Sequence, residues 1–91
     1  MNSANAQTIA LKALAFIASD EQLLGAFMAA CGCSPSEIKD SALDPAFLGG
    51  VLDFVLQDDK GVLDFCETAG IDPNQLRRAR HALPGSPGFD T

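Results

Sequence analysis

Three cysteines and one histidine are the side chains of this 91-residue chain that could hold a metal ion. Structural zinc is usually bound by four cysteine or histidine side chains, and the candidates here are Cys31, Cys33, Cys66 and His81. Their spacing is not that of a usual zinc site, since one residue separates the first two and the other two stand alone. When the chain is compared with itself at a shift of 38 residues, all three cysteines match apolar residues, so we interpret them as buried thiols and predict no metal site. A redox role for Cys33, close to a predicted helix N-terminus, is the alternative.

The sequence contains no recognisable catalytic motif. His81 is its only histidine, and its sequence neighbours offer no plausible serine or cysteine partner for it to activate as a nucleophile. Neither a nucleophile-elbow motif nor a phosphate-cradling glycine motif is present. We therefore predict that the protein is not an enzyme and that it uses no cofactor.

The positive charge of the chain is concentrated near its C-terminal end, at Arg77, Arg78, Arg80 and His81. Such a cluster could contact an acidic protein or a phosphate backbone. It could also compensate the negative end of a helix dipole and pair with acids of the same chain, such as Asp53. The formal net charge of −6 disfavours nucleic acids and anionic membranes as partners.

Gly49 and Gly50 lie inside an otherwise apolar helical segment. A glycine in a helix interior costs about 0.5–1 kcal/mol relative to alanine, so another interaction should offset it. The close approach of a neighbouring helix would do so, and so would a backbone contact with a ligand or partner. The predicted partner contacts are therefore Gly49, Gly50, Asp53, Arg77, Arg78, Arg80 and His81.

A repeat with a period of 38 residues organises the elements that position these residues. The matching pairs include Leu14 and Leu52, Phe16 and Phe54, Asp20 and Asp58, Phe27 and Phe65, Gly32 and Gly70, and Pro35 and Pro73. Such a repeat, built on helical spacing, indicates a duplicated group of helices. We predict that the two copies, at about 8–43 and 46–81, close on each other around one core.

The apolar spacing and the capping signals predict an all-α fold, a compact bundle of five to six helices. We expect the first helix at about 8–18. The second helix follows an N-cap at Ser19 and ends at Gly32. The remaining helices are expected at about 35–42, 45–56, 58–69 and 73–82. At the two clearest corners a glycine ends one helix, and Ser34-Pro35 or Asp72-Pro73 begins the next.

One domain is predicted at 8–83, with disordered tails at 1–7 and 84–91. No apolar run is long enough to cross a membrane, and the first eight residues lack the basic residues of a signal peptide. An odd number of cysteines fits a reducing compartment better than a disulfide framework. We expect a cytoplasmic protein that is a monomer or a homodimer.

Three phrases of the sequence resemble a known family. They are Ala13-Leu14-Ala15-Phe16-Ile17-Ala18, the run from Asp44-Pro45 to Asp53-Phe54, and the run from Phe65-Cys66-Glu67 to Asp72-Pro73. From about Ala10 to Gly85 the chain resembles a family of small, helical bacterial proteins of unknown function. The resemblance implies a free-standing bacterial domain and brings no activity, cofactor or catalytic residue with it.

The function predicted from these observations is a noncatalytic module that binds another protein through a helix face or groove. Two alternatives stay open. One is a nucleic-acid-associated regulator that uses the basic end of the last helix, and the other is a small-ligand carrier with a pocket between the two copies.

Overall fold

Six α-helices make up most of the residues that the computed structural model describes, which are 2–32, 34–42 and 44–83. They are α1 (Ser3–Ala18), α2 (Glu21–Cys31), α3 (Pro35–Ser41), α4 (Pro45–Leu56), α5 (Asp59–Ala69) and α6 (Pro73–Ala82). These ranges contain no strand, and the predicted all-α bundle is confirmed. No single helix in them is long and apolar enough to cross a membrane; only α1 and α2 together, bent by 115°, reach that length and hydropathy. The predicted tail at 84–91 lies outside the described residues.

Helix α1 begins at Ser3, earlier than the predicted start at residue 8. Asn2 caps it, because its side chain accepts a hydrogen bond from the N–H of Asn5 at 2.8 Å. Ala6 and Ala10 are fully buried in the first turns of the helix. The predicted disordered tail at 1–7 is therefore wrong over residues 3–7. Buried alanines give a weak periodic signal, and the start of α1 carries no large apolar side chain to strengthen it.

Asp20, and not Ser19, caps α2. The Ser19 hydroxyl donates to the carbonyl oxygen of Phe16 at 2.7 Å and so closes the end of α1. The Asp20 carboxylate accepts hydrogen bonds from the N–H groups of Gln22 and Leu23 at 2.9 and 3.3 Å. The predicted cap at Ser19 is wrong by one residue, because a carboxylate satisfies the first N–H groups and also faces the positive end of the helix dipole.

The two glycine–proline corners form as predicted. Gly32 and Gly70 end α2 and α5 in the left-handed conformation, with φ of +69° and +70°. Ser34 and Asp72 then cap α3 and α6, and each forms a capping box with the residue three positions further on. Two helix stops and two helix starts are thus read correctly from local sequence.

One hydrophobic core joins the six helices. Helix α1 packs against α4, and α6 packs against both of them. The two halves do not pack alike. Leu76, Ala79 and Leu83 are buried in and just after α6, whereas Ile38 is the only buried residue among those described in α3. The arrangement therefore departs from the predicted closure of two equivalent copies, and the duplication itself stays a prediction.

Candidate functional site

The predicted partner contacts lie on α4 and α6, two helices that pack against each other. Arg80 of α6 donates a hydrogen bond from Nε to Oδ1 of Asp53 on α4, and the two side chains are 13% and 29% exposed. This ion pair joins two of the predicted residues and ties the helices together. Arg77, Arg78 and His81 are exposed, whereas Arg80 is half-buried.

The glycine pair is divided between the core and the surface. Gly49 is buried, and its predicted contact with a partner stays a prediction. Gly50 is half-buried, and a Cβ atom at this position would meet nothing within 4 Å. The predicted close approach of a neighbouring helix is therefore wrong for Gly50, whose backbone faces open space.

Gly50 and Asp53 share a depression of about 260 Å³ between α2 and α4, here called the Gly50 depression. Its lining residues are Phe27, Ala30, Cys31, Gly50, Asp53, Phe54 and Gln57. The ring of Phe27 packs edge-on against Phe54, with centroids 5.3 Å apart. This geometry is a favoured one for aromatic pairs and closes the floor of the depression between the two helices.

The cysteines do not share one environment. Cys66 is buried, as predicted, and Cys31 is exposed, which contradicts its predicted burial. Cys33 lies outside the described residues. Burial and, to a lesser degree, the negative charge of Asp72 raise the pKa of the Cys66 thiol above its ordinary value. Among the residues that the structure describes, no group of three or more His, Cys, Asp or Glu side chains is arranged to hold a metal ion.

A second surface lies between the α1–α2 corner and α5, two segments that the sequence did not link. Phe16 is half-buried there, and its ring packs against that of Phe65 with centroids 5.4 Å apart and a tilt of 58°. A depression of about 490 Å³ opens beside it. We call it the Phe16 groove, and its lining residues are Phe16, Asp20, Leu23, Asp64, Glu67 and Thr68.

Phe16 also lines two neighbouring depressions. One measures about 340 Å³, shares Thr68 with the Phe16 groove and extends towards Lys12. The other measures about 120 Å³, shares Leu23 with the groove and extends towards Phe54. Since each of them shares two lining residues with the Phe16 groove, the three depressions are neighbours, and Phe16 lines all of them.

The rim of the Phe16 groove is acidic. Asp64 and Glu67 stand about one turn apart on the exposed face of α5, and Asp20 lines the same groove from the α1–α2 corner. One oxygen of Asp20 is engaged by the N-terminus of α2. Within the described part of the chain, neither Asp64 nor Glu67 pairs with a basic side chain. The groove therefore combines an apolar floor, formed by Phe16 and Leu23, with two α5 carboxylates that form no ion pair among the described residues.

Sequence reasoning missed this groove because three separate elements build it. The helical pattern placed Phe16 and Leu23 in the core, and each is in fact only half-buried. The acids of the chain, Asp64 and Glu67 among them, were considered as possible pairing partners of the basic cluster. Only the packing of α5 against α1 brings these residues together, and no local pattern of spacing encodes that packing.

These features define a small all-α protein with an open, acidic groove between helices. The chain belongs to the family described as "Protein of unknown function (DUF3572)", whose model matches residues 3–86. The resemblance to a family of helical proteins of unknown function is thus confirmed. No curated protein and no solved structure matches the chain significantly.

Proposed function

We propose that this protein is a noncatalytic module that binds another protein, and that the partner docks in the Phe16 groove. The observation that carries the proposal is a half-buried phenylalanine where three depressions meet. Large side chains at the centre of a concave surface commonly supply most of the energy of a protein interface. The depressions around Phe16 provide the space for the side chains of a partner.

The chemistry around Phe16 supports the same function. Protein interfaces often combine an apolar centre with a polar rim, and here Phe16 and Leu23 lie below a rim of carboxylates. Phe16 also rests on Phe65, which is 1% exposed and belongs to the core. Because Phe16 already packs against the core, little conformational entropy is lost when a partner binds, and this favours affinity.

The surface on α4 and α6 supports a binding function less strongly. Asp53 and Arg80 neutralise each other, which leaves Arg77, Arg78 and His81 as the exposed members of the basic cluster. A nucleic-acid-associated regulator would have to use these three side chains against a net charge of −6. DNA binding at low salt that is lost in an R77A/R78A double variant would favour this alternative over the proposal.

An affinity pull-down from the source cells with a variant that fills the groove tests the proposal. Thr68→Arg places a long side chain in the Phe16 groove at an exposed position, where little effect on folding is expected. Leu63→Arg is the matched control, because it adds the same side chain to the same helix at a position that is 62% exposed and does not line the groove.

We expect a stoichiometric partner to be retained by the unmodified protein and by Leu63→Arg, and to be lost with Thr68→Arg. Equal recovery of the partner with all three proteins would show that it binds elsewhere. Recovery of no stoichiometric partner with any of them would contradict the proposed function.

A further inference from the structure

We infer that the Phe16 groove receives a basic, amphipathic segment of the partner, in which a bulky apolar side chain is flanked by lysine or arginine. The inference rests on the function proposed above and adds the chemistry of the partner. It is carried by the juxtaposition of an apolar floor, formed by Phe16 and Leu23, with a rim of carboxylates.

The charges around Phe16 favour a cationic partner. Asp20, Asp64 and Glu67 line the groove, and Asp58 lines the adjoining depression. Like charges around a concave surface with low-dielectric walls add to one negative potential and attract cations. Lys12 is the basic side chain that lines the three depressions, and it lies in the one that extends away from these acids.

The pairing of the acids also favours a cationic partner. Asp53 on α4 has an arginine of the same chain beside it. Asp64 and Glu67, three residues apart on one helix face, have no such neighbour among the described residues. Like charges at this spacing destabilise a helix slightly. A cation from the partner would relieve that repulsion without breaking an existing ion pair.

The apolar floor of the groove favours a partner segment that carries apolar side chains as well as positive charge. Phe16 and Leu23 are both half-buried, so each retains apolar surface that a partner can cover. A helix that lays its apolar face in a groove and holds its charges at the edges matches this arrangement. Electrostatic attraction would then guide association, while apolar contact would hold the complex.

Fluorescence anisotropy with a defined peptide tests the inference on the full chain. The probe is a fluorescein-labelled helical peptide of leucine and lysine, with its leucines on one face. A comparison peptide keeps the leucines and replaces every lysine with glutamate. We expect the lysine peptide to bind at least about tenfold more tightly than the glutamate peptide, and to weaken as salt rises from about 20 to about 300 mM, because surface charges are then screened.

Two double variants with equal net charge locate the binding site. D64N/E67Q removes two rim charges, and we expect it to weaken binding of the lysine peptide about three- to tenfold, the effect of two exposed ion pairs. D40N/D59N removes two exposed charges that do not line the groove, and we expect a change below about twofold. Circular dichroism verifies that both variants keep the helical fold.

The inference is overturned if the glutamate peptide binds as tightly as the lysine peptide, if both double variants lose affinity equally, or if the lysine peptide does not bind. The pull-down with Thr68→Arg fills the groove with a long side chain and does not depend on the probe peptides. A partner that is lost with Thr68→Arg while the lysine peptide fails would therefore disprove the partner chemistry and leave the proposed function standing.

Discussion

The arginines of α6 differ in their exposure to solvent, because different side chains pack beside them. Arg80 lies against Asp53 and is largely covered, whereas Arg77 and Arg78 on the same helix are exposed. The sequence indicated that Asp53 was a possible partner for the basic cluster. It could not assign the arginine, because that choice depends on how α6 packs against α4.

Removal of Arg80 should therefore destabilise the protein more than removal of Arg77. Asp53 would be left partly desolvated without its cation, although its 29% exposure allows water to replace part of the interaction. We expect Arg80→Ala to lower the free energy of unfolding by about 1–2 kcal/mol, and Arg77→Ala to change it by less than about 0.5 kcal/mol. Urea denaturation measures both values, and equal effects would contradict the structural role given to the ion pair.

The raised pKa of the Cys66 thiol should appear in the pH dependence of stability. A pKa that is higher in the folded than in the unfolded chain means that folding favours the protonated thiol. This contribution is fully present below the thiol pKa of the unfolded chain, about 8.5, and is lost as the pH rises through the folded value. We expect the stability difference between the unmodified protein and Cys66→Ala to shrink above about pH 8.5. A constant difference from pH 7 to pH 10.5 would contradict the raised pKa.

Helical elements were predictable from sequence wherever a cap or a stop is encoded locally. The glycines at 32 and 70 and the capping boxes at Ser34 and Asp72 determine four helix ends, and all four were predicted. The start of α1 was missed because Ala6 and Ala10 are buried without contributing large apolar side chains. Small buried residues provide close packing between helices, but a pattern of apolar residues detects them poorly.

Replacing a glycine with alanine should have opposite effects on stability inside a helix and at a helix end. Gly50 lies inside α4 with open space where a Cβ would be, so Gly50→Ala should raise the free energy of unfolding by about 0.5–1 kcal/mol. Gly70 has a φ of +70°, so Gly70→Ala should lower it by about 1–2 kcal/mol. Thermal or urea denaturation gives both signs. Destabilisation by Gly50→Ala would mean that the Gly50 depression is closed in solution.

At the scale of the whole molecule, the fold class was predictable and the proposed binding surface was not. Helical periodicity and the corner signals are local, and they sufficed for an all-α bundle. The Phe16 groove combines the α1–α2 corner with α5, some 40 or more residues further along the chain. Within its own helix or helix cap, each acidic or apolar residue of the groove fits the usual pattern of an amphipathic helix. Their joint chemistry arises only from tertiary packing.

Site-specific photo-crosslinking in the source cells identifies the surface of this protein that contacts a partner. A benzoylphenylalanine at position 68 lies in the Phe16 groove, and the same residue at position 63 lies on the exposed face of α5 outside it. If the partner docks in the Phe16 groove, we expect one dominant crosslinked protein from position 68 and none from position 63. No crosslink from position 68, or the same crosslinked protein from both positions, would contradict it.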